Sequence, residues 1–158
     1  MWLPWVIGSI LILVFVARDW VLTSNGIIDH SVVWGRDFIN VWTGGHLVRN
    51  GQFATLYHPT GYAAYQRGSF GAIDPQNYSY PPTSYPLAAA LSPPLYSVAL
   101  AIWSTATAAL FAVSALPWWP RSAGPSSLAV ATPTALVNLW AGHYRFVLGA
   151  LFLLIRSD

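Results

Sequence analysis

The stretch LYSVALAIWSTATAALFAVSAL, Leu95 to Leu116, decides how the chain is read, because it holds no Asp, Arg or His and is long enough as a helix to cross a bilayer core. Upstream, the apolar run begins at Leu87, and Pro93-Pro94 breaks or sharply kinks it near its start. Downstream, Pro117-Trp118-Trp119-Pro120-Arg121 has the residues of a membrane interface followed by a turn. The Gly124-Pro125-Ser126-Ser127 stretch offers an N-cap for a third span over Ser127 to Ala141. Gly142-His143-Tyr144-Arg145 interrupts that run, and Phe146 to Ile155 starts a fourth that Arg156 closes. Ten helical residues reach only about 15 Å, half a bilayer. The chain therefore reads as the N-terminal portion of a larger protein, with a re-entrant hairpin of the last two segments as the alternative.

Toward the N-terminus, Trp2 to Ala17 forms another apolar run, about 24 Å as a helix, closed by Arg18 and Asp19. No Arg precedes it and Val-Ala-Arg-Asp is a poor cleavage site, so an uncleaved anchor is expected rather than a signal peptide.

Composition agrees with a membrane reading. Of 158 residues, 55% are hydrophobic, 15% aromatic and only 8% charged, with a mean hydropathy of +0.49, whereas soluble domains carry roughly a quarter charged residues. The net charge of +2 rests on seven scattered Arg with no basic run, so nucleic acid is excluded as a partner. The chain has no Cys, which excludes disulfides, thiolate nucleophiles and Cys-ligated metals.

The expected fold is an all-α, multi-span helical membrane bundle in four parts. Residues 1–22 form the first transmembrane helix, and 23–86 a long loop with interfacial helices. Residues 87–119 form the second transmembrane helix, broken at Pro93-Pro94, and 126–155 a third helix with a short fourth helix or hairpin. The loop holds three of the four His and most of the Gly and Tyr, and cannot lie in lipid. Within it, Phe38, Val41, Trp42 and Leu47 recur near helical spacing and Asn50-Gly51 supplies a stop. Asp37 to Arg49 is therefore expected as an amphipathic helix lying on the membrane. Tyr57 to Gln66 is expected as a second short helix, and Gly68 to Pro82 as irregular loop. Arg121 and Arg156 fall on one side if the spans alternate, and the positive-inside rule makes that side cytoplasmic. The 23–86 loop then faces outward from the plasma membrane.

Four constellations could carry chemistry. In Gly35-Arg36-Asp37-Phe38 a carboxylate stands beside an Arg at the start of a helix. It can act as a general base toward a substrate hydroxyl, or it can simply cap the helix with Arg36 paired to it. In the second, Trp42 to His46 and Gly51 to Pro59, the aromatic rings, Trp42 and Tyr57 among them, can stack on a sugar or pack at the lipid interface. His46 and His58 lack helical i, i+4 partners and are not read as a metal pair. The third, Tyr78-Ser79-Tyr80-Pro81-Pro82, reads first as a rigid hinge into the membrane. The fourth, Pro133, Asn138-Leu139 and Gly142-His143-Tyr144-Arg145, groups polar side chains at the end of a hydrophobic helix. There a functional role and a simple turn compete evenly.

In this order the pieces resemble glycosyltransferase family 87, the polyprenol-phosphate-mannose-dependent mannosyltransferase-like proteins. The matching residues are Gly35-Arg36-Asp37-Phe38, Trp42 with Gly44 or Gly45, Leu47, Gly51, Leu56-Tyr57, Tyr80-Pro81-Pro82, Leu87, Pro93-Pro94-Leu95, Ala99, Trp103, Pro133, Asn138-Leu139 and Gly142, spread over Trp34 to Leu154. The chain departs from the family pattern at His58, where Asp is common, and at His143 and Arg145, which follow Gly142 where Gln and an Asn-like residue are common.

The resemblance implies part of a glycosyltransferase C fold with an outward-facing site built from the first long loop. It further implies a hexosyltransferase that moves a sugar, with inversion, from a polyprenyl-phosphate-linked donor to a glycolipid or glycan acceptor. Asp37 would be the catalytic carboxylate, and Arg36, Trp42, Tyr57, His58, Tyr80, His143 and Arg145 would bind substrate. No cofactor is expected, and metal dependence stays open. Membrane lipids are the remaining partner. The rival expectation is a non-catalytic membrane protein, a small transporter subunit or scaffold, in which the loop only caps and anchors the spans.

Overall fold

A computed structural model describes residues 32–119 and 132–155, with short pieces at 6–8, 10–11, 13–14 and 27–28. The expected first span, the Arg121 and Arg156 flanks and the Gly124 to Ser127 cap lie largely or wholly outside the described residues. The described residues form an all-α fold, apart from a minimal antiparallel ladder of Ile27–Ile28 with Val32–Val33.

Helix α1 spans Phe38–Arg49 and buries eight of its twelve residues, so it is the centre of a packed unit. The expected amphipathic stripe is absent because Asn40 and Thr43, polar by type, are also buried and bonded inside. Gly44-Gly45 in a helix interior costs roughly 0.5–1 kcal/mol per residue relative to Ala. Here the two glycines let neighbours close in. A Cβ on Gly45 would overlap the carbonyl of Ala88, and one on Gly44 would overlap the ring of Tyr78. The helix ends in a Schellman turn at Asn50-Gly51, with Gly51 at φ +69°, Gln52 N–H donating to Leu47 O (2.8 Å) and Gly51 N–H to Val48 O (3.0 Å).

A single turn, α2 (Phe53–Leu56), leads to α3 (Pro59–Phe70). Pro59 suits the first helical position, and His58 Nδ1 accepts from Gly61 N–H at 3.3 Å. This helix runs past Gly68, where loop was expected, and stops at Gly71, which takes φ +82°. Its buried Tyr62 and Gln66 face α1. Gln66 Nε2 donates to Asn40 Oδ1 (3.0 Å), Tyr62 Oη lies 3.1 Å from the same oxygen, and Gln66 Oε1 accepts from Gln76 N–H (2.7 Å). A connected polar network thus binds α1, α3 and the extended 72–80 segment.

A 3₁₀ turn, Pro82–Ser84, enters α4 (Tyr85–Leu91), which lies against α1 through Ala88. The chain breaks at Ser92-Pro93-Pro94, and α5 (Tyr96–Ser114) follows. Among the described residues α5 is the one helix long and apolar enough to cross a membrane. After a 3₁₀ turn at Leu116–Trp118 come α6 (Pro133–Ala141), capped by Thr132 Oγ1 accepting from Ala135 N–H, and α7 (Arg145–Ile155). α5 and α7 run in the same direction. Trp103 meets Tyr144, Phe111 meets Phe146, and Trp118 Nε1 donates to Leu153 O (3.4 Å).

Candidate functional site

Two left-handed glycines bring distant parts of the chain together at one end of α5, α6 and α7. Gly142, at φ +67°, ends α6 with its N–H and that of His143 both donating to Asn138 O, at 3.0 and 3.2 Å. A side chain there is doubly disfavoured, since a Cβ would sit 2.8 Å from Phe38 Cβ. Gly35, at φ +75°, packs under Leu100, and its own Cβ would meet Leu100 Cδ2 at 2.7 Å. The turn it opens docks on the exposed carbonyls at the end of α6. Gly35 N–H donates to Trp140 O (3.2 Å) and Asp37 N–H to Ala141 O (2.9 Å). Trp103 Nε1 donates to Gly142 O (3.1 Å) and Tyr96 Oη to Gly35 O (3.0 Å), so α5 holds both turns.

The outcome is an ion pair between Asp37 Oδ2 and His143 Nδ1, charged when the imidazole is protonated. Asp37 occupies the N-cap position of α1, yet its carboxylate makes no capping hydrogen bond. The capping role open to it in sequence is unused, and Arg36 is not paired to it. Both partners keep about a quarter of their side-chain surface exposed, 26% for Asp37 and 29% for His143, so the pair is reachable from outside.

Aromatic rings wall the pair. Tyr80 Oη donates to Asp37 O (3.4 Å), the Tyr80 and Tyr144 rings lie 5.0 Å apart, and Tyr144 packs edge-on to Trp103 at 4.8 Å. Burial, reinforced by the negative charge of Asp37, pushes the Tyr80 phenol up to about 12. Burial also raises Tyr144. Both remain neutral O–H groups at physiological pH. Tyr144 Oη is buried with no hydrogen-bond partner among the described residues, as are both polar side-chain atoms of Asn138 in α6.

The candidate residues named from sequence separate into two groups. Asp37, His143 and Tyr80 come together, and Arg36 and Arg145 stand exposed beside them in sequence without an ion-pair partner among the described residues. Trp42, Tyr57 and His58 are engaged elsewhere. Trp42 Nε1 donates to Pro94 O (3.0 Å) and its ring packs on His46, Phe70 and Tyr96. Tyr57 bonds Tyr80 O and receives the Tyr85 hydroxyl, while His58 caps α3. Trp103 and Tyr144 are not among the expected binding residues, though Tyr144 stands in the Gly142-His143-Tyr144-Arg145 constellation and Trp103 among the residues that carry the resemblance. Trp103 sits inside a continuous apolar span, and only Tyr144's place beside His143 signalled it.

No family model, no curated protein and no solved structure matches this chain. The site rests on its own geometry. Among the described residues no three His, Asp, Glu or Cys are grouped as a metal site would need. What the arrangement can do is accept a proton on a reachable, oriented carboxylate beside aromatic rings suited to a sugar face.

Proposed function

We propose that the protein is a membrane glycosyltransferase of the lipid-linked-sugar type, with Asp37 as its general base. The observation that carries this reading is that the Asp37 carboxylate is withheld from capping α1 and held by His143, about a quarter exposed, where an apolar helix of membrane-crossing length begins. The acceptor hydroxyl gives its proton to Asp37 as its oxygen bonds to the anomeric carbon. The bond from that carbon to the phosphate oxygen breaks, and the polyprenyl phosphate leaves with the electron pair. Arg36 and Arg145, exposed and near Asp37 and His143 in sequence, would offset the charge of the departing phosphate. His143 keeps the carboxylate in place.

Several spans are part of this reading, with 23–86 on the outer side of the plasma membrane. The common direction of α5 and α7 supports it, because each is followed in sequence by an Arg on what would be the cytoplasmic side. The rival, a non-catalytic scaffold, draws on the same junction, since the ion pair also latches α1 to the α6–α7 turn. Transfer of mannose from a polyprenyl phosphate donor, measured in membranes with Asp37→Asn, separates the two. Loss of transfer with normal insertion supports the enzyme, and transfer at the normal rate removes Asp37 from the mechanism.

A further inference from the structure

We infer that α4 is a shelf seated in the lipid of the outer leaflet, on the side of the membrane where the Asp37 site lies. The inference rests on the membrane reading of α5 proposed above. One face of α4 is fixed to protein. Ala88 is buried against Gly45, Ser92 is fully buried with its hydroxyl donating to Ala89 O (3.1 Å), and Trp42 Nε1 holds Pro94 O. The helix therefore cannot roll. The opposite face presents Pro86, Leu87 and Ala90 outward, without one polar side chain among them, and Leu87 is 41% exposed.

In sequence this face leads into the exposed residues of the long apolar helix. Leu95, 76% exposed, joins it to Val98 and Ile102 of α5. From Pro75 to Pro120 the chain has no Asp, Arg or His, so α4 and α5 themselves carry no charge. At the start of α4 the rings change character. Phe53, exposed, stacks on Tyr85 with centroids 5.7 Å apart, and the hydroxyls of Tyr85 and Tyr57 bond at 3.0 Å. Apolar ring bodies with hydroxyl tips, next to an uncharged apolar face, are the side chains that settle at headgroup depth. A protein partner would be expected to find charged rim residues, and α4 carries none.

The natural absence of Cys makes the test direct. Leu87→Cys, Ile102→Cys and Arg67→Cys, each carrying a nitroxide, are reconstituted as the full chain in phosphatidylcholine and phosphatidylglycerol vesicles. Relaxation by oxygen and by a water-soluble nickel chelate is then compared. Ile102 is expected to report the deepest lipid, Leu87 a shallower lipid position with oxygen dominant, and Arg67 water. A Leu87 label as open to nickel as the Arg67 label, with Ile102 in lipid, overturns the shelf alone. A Leu87 label shielded from both reagents means that protein covers the face, and also overturns it. An Ile102 label in water removes the membrane reading and the shelf together.

Discussion

The Asp37 side chain is bound to the His143 imidazole while the backbone N–H of the same residue is bound to the carbonyl of Ala141, two residues before that histidine. One residue is thus held at both ends by the same turn of chain, which limits the carboxylate to a narrow range of positions without a capping bond. A base so placed is pre-oriented for proton transfer.

Asp37→Asn keeps the size and a hydrogen-bonding group, so it should fold and insert, with a stability loss of about 1 kcal/mol for a partly exposed charge-assisted bond. Transfer of sugar should fall by about 10² to 10⁴, the usual range for removing a general base. His143→Gln should cost less activity than Asp37→Asn, because the carboxylate survives and only its holder changes. Initial rates in membranes, normalised to inserted protein, check both. Equal losses from the two variants would contradict this division of roles.

Gly142→Ala should destabilise the protein by about 2 kcal/mol or more. A left-handed residue with a Cβ costs about 1–2 kcal/mol, and crowding against Phe38 adds to it. Thermal unfolding in detergent reads the effect, with Gly51→Ala as the reference. Gly51 is also left-handed but has open space around it, so it should lose only the first contribution.

Asn40→Leu should cost about 1–3 kcal/mol, because it strands the buried Gln66 amide that donates to Asn40 Oδ1. A denaturant midpoint measured alongside Asn77→Ala separates the network from surface effects. Asn77 supplies only a backbone carbonyl to Asn40, so its side-chain change should be nearly silent.

The His46 imidazole lies below its ordinary value of 6.5, chiefly because burial disfavours its charged form and secondly because Arg49 repels it, with the Ser92 backbone partly opposing. The unfolded chain then takes up the proton first as pH falls. The stability that neutral His46 contributes is complete above 6.5 and is lost as pH drops from there through the lower, folded value. Unfolding midpoints between pH 7.5 and about 5 should show this slope in the native chain and a shallower one in His46→Gln. Parallel curves for the two proteins would show that His46 does not carry it.

Sequence alone determined the local punctuation of this protein. Asn50-Gly51 stops a helix because the chain needs a left-handed residue there, Pro93-Pro94 separates two helices because proline lacks the N–H and collides with the preceding turn, and the uncharged Leu95 to Leu116 run is apolar whatever surrounds it. Such effects act within a few residues, so a linear reading reaches them. Tertiary structure alone decided what α1 faces and where the acid of the Gly35-Arg36-Asp37-Phe38 turn points. The polar Asn40 and Thr43 are inside because Tyr62 and Gln66 meet them there, and Asp37 forgoes its capping bond because Gly142 turns His143 toward it. Trp42 and Tyr57 read as binding residues by type and His58 through the resemblance, yet partners distant in sequence for the first two, and the α3 cap for the third, engage them. A hydrogen bond between residues far apart in the chain leaves no periodicity to read, and its energy exists only once packing has brought both ends together.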